Sequence, residues 1–290
     1  MKLADLKDYK LVWSEEFEGT NLNDTKFATN EDVASTKNMA GDITFDYCND
    51  EKFVKVADGK LILNCAYDEK RNCFVGPKPI TNKATMRFKY GYLEIRARLP
   101  YSHGSLATIS ALAKGAIGCE KEATYYSNMQ ITAPGNGQYA HSCIFKEYED
   151  YNEDHPFFVK GRTFVDNSYV AQMWGVATPD SLHSRFTELV MDDFKTYGLL
   201  WTPDEVVFTV NGYINTRMSL AKDFLRPSGV EGFRKPHFIQ FESFLNVDTE
   251  KRRQIDTARV KPEDIVNMCP FEVEYVRLYQ KDGEGELNLA

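Results

Sequence analysis

The chain has 290 residues and a net charge of −8, and its longest basic run is Lys251-Arg252-Arg253, so a phosphate backbone finds little to bind and nucleic acid is not an expected partner. Aromatic residues make up 13% of the chain, with 16 Tyr and 19 Phe, and such side chains favour pleated, half-buried surfaces, which points to strands. No apolar stretch reaches the length of a membrane span and residues 1–8 lack a signal-peptide core, so a soluble protein is expected, extracellular only where a leader has been removed ahead of this numbering.

In chain order, residues 60–67 form an apolar-rich run that reads as a strand. Residues 91–100 alternate Leu93, Ile95, Ala97 and Leu99 with Glu94, Arg96 and Arg98, the period-2 pattern of a strand with one core face. Residues 146–185 are irregular, acidic at first (Glu147, Glu149, Asp150, Glu153, Asp154) and aromatic through to Trp174. In a sandwich such a stretch reads either as a loop shaping a binding mouth or as a solvated insertion. Thr202-Pro203-Asp204 marks a turn, and residues 206–210 and 213–216 flank Asn211-Gly212, which supplies the positive φ angles of a type I′ hairpin. Residues 238–247 and 271–280 add two aromatic-rich strands. No linker, composition shift or repeat divides the chain, so residues 1–290 are expected to form one domain.

The six cysteines include no Cys-x-x-Cys pair and no His at zinc-ligand spacing, so a thiolate metal site is not expected. Cys65 and Cys73 flank a turn-like segment and read either as a bridge or as buried free thiols.

Four segments then carry a resemblance. They are Leu11-Val12-Trp13-Ser14-Glu15-Glu16-Phe17-Glu18-Gly19; Phe88-Lys89-Tyr90-Gly91-Tyr92-Leu93-Glu94-Ile95-Arg96-Ala97-Arg98-Leu99-Pro100; Tyr197-Gly198-Leu199-Leu200-Trp201-Thr202-Pro203-Asp204 with the Asn211-Gly212 turn; and Glu274-Tyr275-Val276-Arg277-Leu278-Tyr279-Gln280. In this order they resemble the family 16 glycoside hydrolases, the laminarinase and lichenase group. The resemblance implies an all-β fold: a two-sheet antiparallel jelly-roll sandwich, concanavalin A-like, whose concave cleft takes a polysaccharide or oligosaccharide.

The family's chemistry rests on a strand of pattern E-x-D-x-x-E or E-x-D-x-E, whose spacing lines carboxylates along one face. In a retaining mechanism the first Glu attacks the anomeric carbon and the last protonates the leaving oxygen. Here the matching segment is Asn128-Met129-Gln130-Ile131-Thr132-Ala133. Asn128 stands for the first Glu, Gln130 for the Asp, and Ala133, or Thr132 in the shorter form, for the acid/base. An amide is no carboxylate nucleophile, and neither Ala nor Thr donates a proton at a suitable pKa, so retaining hydrolysis is expected to be absent. Leu106 and Ser110 also stand where two Trp residues line the family's cleft, which removes aromatic platforms for sugar rings.

Other residues enter as candidates. Glu242, between aromatics in a cleft-proximal strand, is the best replacement carboxylate, with an acid from residues 147–154 as partner; a structural salt bridge is its competing reading. Glu120 and Glu122 have strand period but read as a solvated loop. His141 matches a His that lines the cleft in the family, with a hydrogen-bonded structural role as its competing reading, and Trp174 reads either as a substitute sugar platform or as an anchor of its own loop; with Asn128 and Gln130 these are the expected ligand contacts. Glu274 takes a place where many relatives have an Asp that binds a structural calcium, and no other cofactor is implied.

Three functions compete. The chain is expected first to bind a β-glycan or related ligand in its cleft without retaining hydrolysis, and thus as a pseudoenzyme. The alternatives are an active O-glycosyl hydrolase acting on β-glucan or galactan through relocated carboxylates, and a structural jelly roll that assembles into oligomers.

Overall fold

The structure is a computed structural model, and it describes residues 6–28, 45–47, 52–70, 73–81, 86–100, 105–114, 125–132, 142–147, 194–220, 231–245 and 270–289. In chain order the strands are β1 (Tyr9–Glu15), β2 (Phe27–Ala28), β3 (Phe45–Tyr47), β4 (Val54–Ala57), β5 (Lys60–Leu63), β6 (Ala66–Asp68), β7 (Cys73–Gly76), β8 (Ile80–Thr81), β9 (Arg87–Lys89) and β10 (Gly91–Arg98). They continue as β11 (Ser105–Lys114), β12 (Tyr125–Thr132), β13 (Ser142–Glu147), β14 (Lys195–Trp201), β15 (Glu205–Val210), β16 (Tyr213–Ser219), β17 (Phe238–Leu245), β18 (Phe271–Lys281) and β19 (Glu286–Asn288). Among the described residues the helical elements are two short 3-10 turns, Leu22–Asp24 and Glu231–Arg234, and no helix is long and apolar enough to cross a membrane.

Two large sheets carry the fold. The eight-stranded sheet runs β16-β15-β14-β10-β18-β5-β4, with β1 also on β18. β1 and β5 share one edge of β18, β5 beside Phe271 to Val273 and β1 beside Val276 to Lys281, because β18 is long enough to pair two shorter strands end to end. The six-stranded sheet runs β13-β12-β11-β17-β8-β2. Every pairing in these two sheets is antiparallel; the parallel pair β3–β7 lies in a separate three-stranded sheet.

Period-2 alternation produces the core between the large sheets. Leu93, Ile95 and Ala97 of β10 are buried, while Glu94, Arg96 and Arg98 face outward, as the sequence pattern predicts. From the other sheet Ile109, Ala111, Met129, Ile131, Ile239 and Phe241 are fully buried against them. Residues 60–67 are two strands rather than the single one expected. After Leu63 the chain leaves β18, Asn64 donates to the Phe53 carbonyl at 2.9 Å, and β6 joins the small sheet. The alternation survives this change of partner, Cys65 being buried as a free thiol, which is why the sequence shows no break.

The hairpin forms as expected, with φ of 50° at Asn211 and 75° at Gly212 and Val210 paired directly with Tyr213. Thr202 builds the turn before it, its Oγ1 accepting from the Glu205 N–H at 3.1 Å. A sharper feature is the kink at Tyr90-Gly91, where φ is 60° and 125°. The Gln280 amide fits against it, its Nε2 donating to the carbonyls of Lys89 (3.2 Å), Tyr90 (2.9 Å) and Glu286 (3.0 Å). Gln280→Leu keeps the bulk but leaves three carbonyls without that donor. It is expected to cost about 1–3 kcal/mol, measured by urea denaturation.

Candidate functional site

The outer face of the six-stranded sheet is set by register. β11 lies between β12 and β17, and cross-strand pairing brings Gln130, Ser110 and Gln240 into one row, neighbours about 5 Å apart. Asn128 lies opposite Leu112, which lies opposite Phe238. Two residues the other way, Thr108 lies opposite Glu242. Residues at odd positions on β11 and β17, such as Ile109 and Phe241, fill the core, so these even positions face away from it.

Glu242 lies between two partners in this row. One carboxylate oxygen pairs with Lys78 Nζ, and the other accepts from Thr108 Oγ1 at 2.8 Å. Lys78 arrives there because Pro77 to Pro79 runs beside β17, the Pro77 and Pro79 carbonyls accepting from the N–H groups of Ser243 (3.1 Å) and Phe241 (3.0 Å). Proline returns no N–H, so these bonds run one way only, and the segment is a strand edge without a reciprocal ladder. It places Lys78 opposite Glu242, two residues before the Ile80–Gln240 pair. The result is a row Lys78, Glu242, Thr108 beside the row Gln240, Ser110, Gln130. Thr108 and Ser110 are almost fully covered, their short hydroxyl side chains lying lower than their longer neighbours, whereas Gln130, Glu242 and Lys78 keep part of their surface open.

Register also bears on the acid/base position. Ser110 pairs with Gln130 but Ile109 pairs with Thr132, so β12 carries one extra residue at this point. Thr132 therefore lies opposite Ile109, a core position of β11. Ala133, the acid/base position in the longer spacing, lies outside the described residues, as do His141, Trp174, Glu120, Glu122 and residues 148–154. Glu147 closes β13 opposite Tyr125, one position beyond the level of Lys114. That is roughly 20 Å along the strands from Glu242, at about 3.3 Å per residue, and three strands over. A retaining or inverting pair needs about 5 to 9.5 Å, so Glu147 is no partner for Glu242.

On the outer face of the eight-stranded sheet, Glu274 is engaged by Arg96, Nε to Oε2 at 2.5 Å, and the adjacent Glu272 by Arg98 at 2.5 Å and Lys60 at 3.9 Å. Those three cations also surround the Phe194 ring at 5.6–5.7 Å. Calcium takes six to eight oxygens. The described surroundings of Glu274 hold guanidinium groups instead, and no group of three or more His, Cys, Asp or Glu among the described residues is placed to hold a metal ion. They do not fit the cation.

Further along this face Arg277 grips Glu16 through two bonds of 3.0 and 2.9 Å and lies 3.8 Å over the Tyr275 ring. Hydrogen bonds from Arg277 hold the Glu16 carboxyl below its usual range, and the same pairing holds the guanidinium fully charged. Tyr275 in turn donates to Glu94 at 3.1 Å.

One buried titratable group was not singled out in the sequence. His237 is fully buried, its ring 4.7 Å from Trp201 in an edge arrangement, and Nδ1 donates to the Lys235 carbonyl at 2.7 Å. The carbonyl can only accept, which puts the neutral ring's proton on Nδ1. Burial pushes its pKa down to about 3, against a smaller upward pull from that carbonyl. Nothing in the local sequence marks it, because its burial comes from the opposite sheet. Lys78 did leave a signal, Pro-Lys-Pro, an extended segment suited to a sheet edge.

No protein-family model matches the sequence, and no curated protein matches it. Solved structures do match the fold. SCLam, a non-specific endo-β-1,3(4)-glucanase from family GH16, superposes with a TM-score of 0.65 at 20% identity over 97% of this chain and 94% of that one. The laminarinase from Rhodothermus marinus gives 0.62 at 19% identity, covering 95% and 99%, and that from Flavobacterium sp. UMI-01 gives 0.60 at 16%, covering 93% and 100%. Together with the two antiparallel sheets and their order, these likenesses establish that the chain folds as a GH16-like jelly-roll sandwich.

Proposed function

We propose that the chain binds a β-glycan or related saccharide along the outer face of the six-stranded sheet and performs no retaining hydrolysis. The observation that carries this reading is the pairing of β12, with Gln130 beside Ser110 on the face away from the core and Asn128 in register with Leu112. The resemblance puts catalytic carboxylates at these two positions. Amides there keep donors and acceptors for sugar hydroxyls but can neither attack an anomeric carbon nor stabilise the resulting cation by charge. The one carboxylate among the described residues of these rows, that of Glu242, is neutralised by Lys78, and Glu147 is too distant to share a scissile bond with it. This disfavours relocated carboxylates.

The test measures two things on the same samples: retention of the protein in gels cast with β-glucans, agarose or carrageenan, and release of reducing ends over a long incubation. Retention by at least one polymer with no reducing ends above a protein-free control is the expected result. Steady turnover would overturn the non-hydrolytic part of the reading, and lack of retention by every polymer the binding part.

A further inference from the structure

We infer that the row Lys114, Tyr126 and Lys146 is a subsite for an anionic substituent, a sulfate or a carboxylate, on a saccharide bound along this face, an inference that rests on the glycan reading above. Strand register places the row. Lys114 lies opposite Tyr126 and Tyr126 opposite Lys146, so β11, β12 and β13 set the two lysines on either side of the tyrosine, about 10 Å apart across two strand spacings. Tyr126 comes four residues before Gln130 with regular pairing between them, which keeps it on the same face, roughly 13 Å away along β12. The same period assigns Glu147, one residue beyond Lys146, to the other face. Among the described residues, the charged ones that pairing places on this face are Lys78, Glu242, Lys114 and Lys146, a cationic excess on a chain whose net charge is −8. Such an excess raises the local concentration of anions and leaves that of neutral chains unchanged. Lysine captures sulfate or carboxylate as a flexible point charge, and two like charges in one row repel until an anion lies between them. A tyrosine between them offers a sugar ring an apolar plane and a hydroxyl. The row Gln240, Ser110 and Gln130 is then left to the hydroxyl groups of the same saccharide. The ligand class is thus a polysaccharide carrying sulfate or carboxylate groups.

The experiment compares laminarin and agarose with the sulfated and the carboxymethylated form of each, so that the backbone is constant and the anion varies, using apparent Kd from affinity gels of the full chain. At 0.1 M salt the wild type is expected to bind at least one anionic form about tenfold more tightly than its neutral parent, the yield of two exposed charge pairs. The form with the larger gain tells sulfate from carboxylate. At 1 M salt, where the screening length falls from about 10 Å to about 3 Å, the preference is expected to shrink to within about twofold. Lys114→Gln and Lys146→Gln are each expected to lower the preference about threefold, and together to abolish it. Lys114→Arg with Lys146→Arg keeps both charges and is expected to keep the preference, which separates charge from fold. Lys55→Gln removes an exposed lysine from β4 of the other sheet and is expected to leave the preference unchanged. No preference for any anionic form, a preference that persists at 1 M salt, or one lowered as much by Lys55→Gln as by the variants of the row would overturn the inference while leaving glycan binding intact. Retention by no form of either polymer would overturn glycan binding, and the subsite with it.

Discussion

Gly91→Ala is expected to destabilise the fold by about 3 kcal/mol or more, seen as a lower urea midpoint with an unchanged slope. Two effects add. The φ of 125° at Gly91 belongs to a region that only glycine occupies without strain. A Cβ there would also sit 2.6 Å from the Tyr279 carbonyl oxygen and 3.0 Å from Gln280 Cγ. The first of these is backbone of the central strand β18, which is held by β10 on one side and by β1 and β5 on the other, so it has no room to retreat. Gly212→Ala provides the comparison. Its φ is 75°, but nothing lies within 4 Å of the added Cβ, so the cost there is expected to be the smaller conformational one, about 1 kcal/mol. Equal losses at the two sites would refute the role assigned to the close approach.

His237 is expected to make the fold acid-sensitive. Above pH 6.5 the imidazole is neutral in both the folded and unfolded chain and contributes no pH dependence. Between 6.5 and about 3 only the unfolded chain takes up the proton, so stability falls as the pH falls, and below about 3 this contribution levels off. The loss attributable to this residue is about 2 kcal/mol at pH 5 relative to pH 7. His237→Asn places an amide donor near the Lys235 carbonyl and does not titrate. It is expected to be less stable at pH 7, through lost packing beside Trp201, yet to show a flatter profile between pH 7 and 5. Chemical denaturation across that range compares the two slopes. Parallel profiles would show that other groups carry the acid response.

Neither effect touches the proposed glycan face. Gly91 and Gln280 lie in the opposite sheet and its kink, and His237 points into the core at the start of β17. Their variants therefore also serve as folding controls for the binding experiments, since a stability loss of similar size without altered glycan retention separates folding from recognition.

The sequence by itself determined the elements whose signal is local. Period 2 in residues 91–100, the Asn-Gly turn and the four ordered motif segments sufficed for an all-β sandwich, since the alternation of a strand and the φ of a turn depend on residues a few positions apart. It also determined which side chains β12 brings to its pairing with β11. Asn128 and Gln130 are amides whatever surrounds them, and no environment makes them carboxylates. What only the tertiary structure decided is which residues stand together. Glu242 lies 134 residues beyond Thr108 and Lys78 lies on yet another segment, and their meeting depends on β17 pairing with β11 in one register; a slip of one residue would send Glu242 into the core. Long-range pairing likewise set Glu274 beside Arg96, separated Glu147 from Glu242, set Thr132 opposite a core position, and buried His237 between sheets. Those outcomes depend on sheet order, which the pattern along a single strand does not encode.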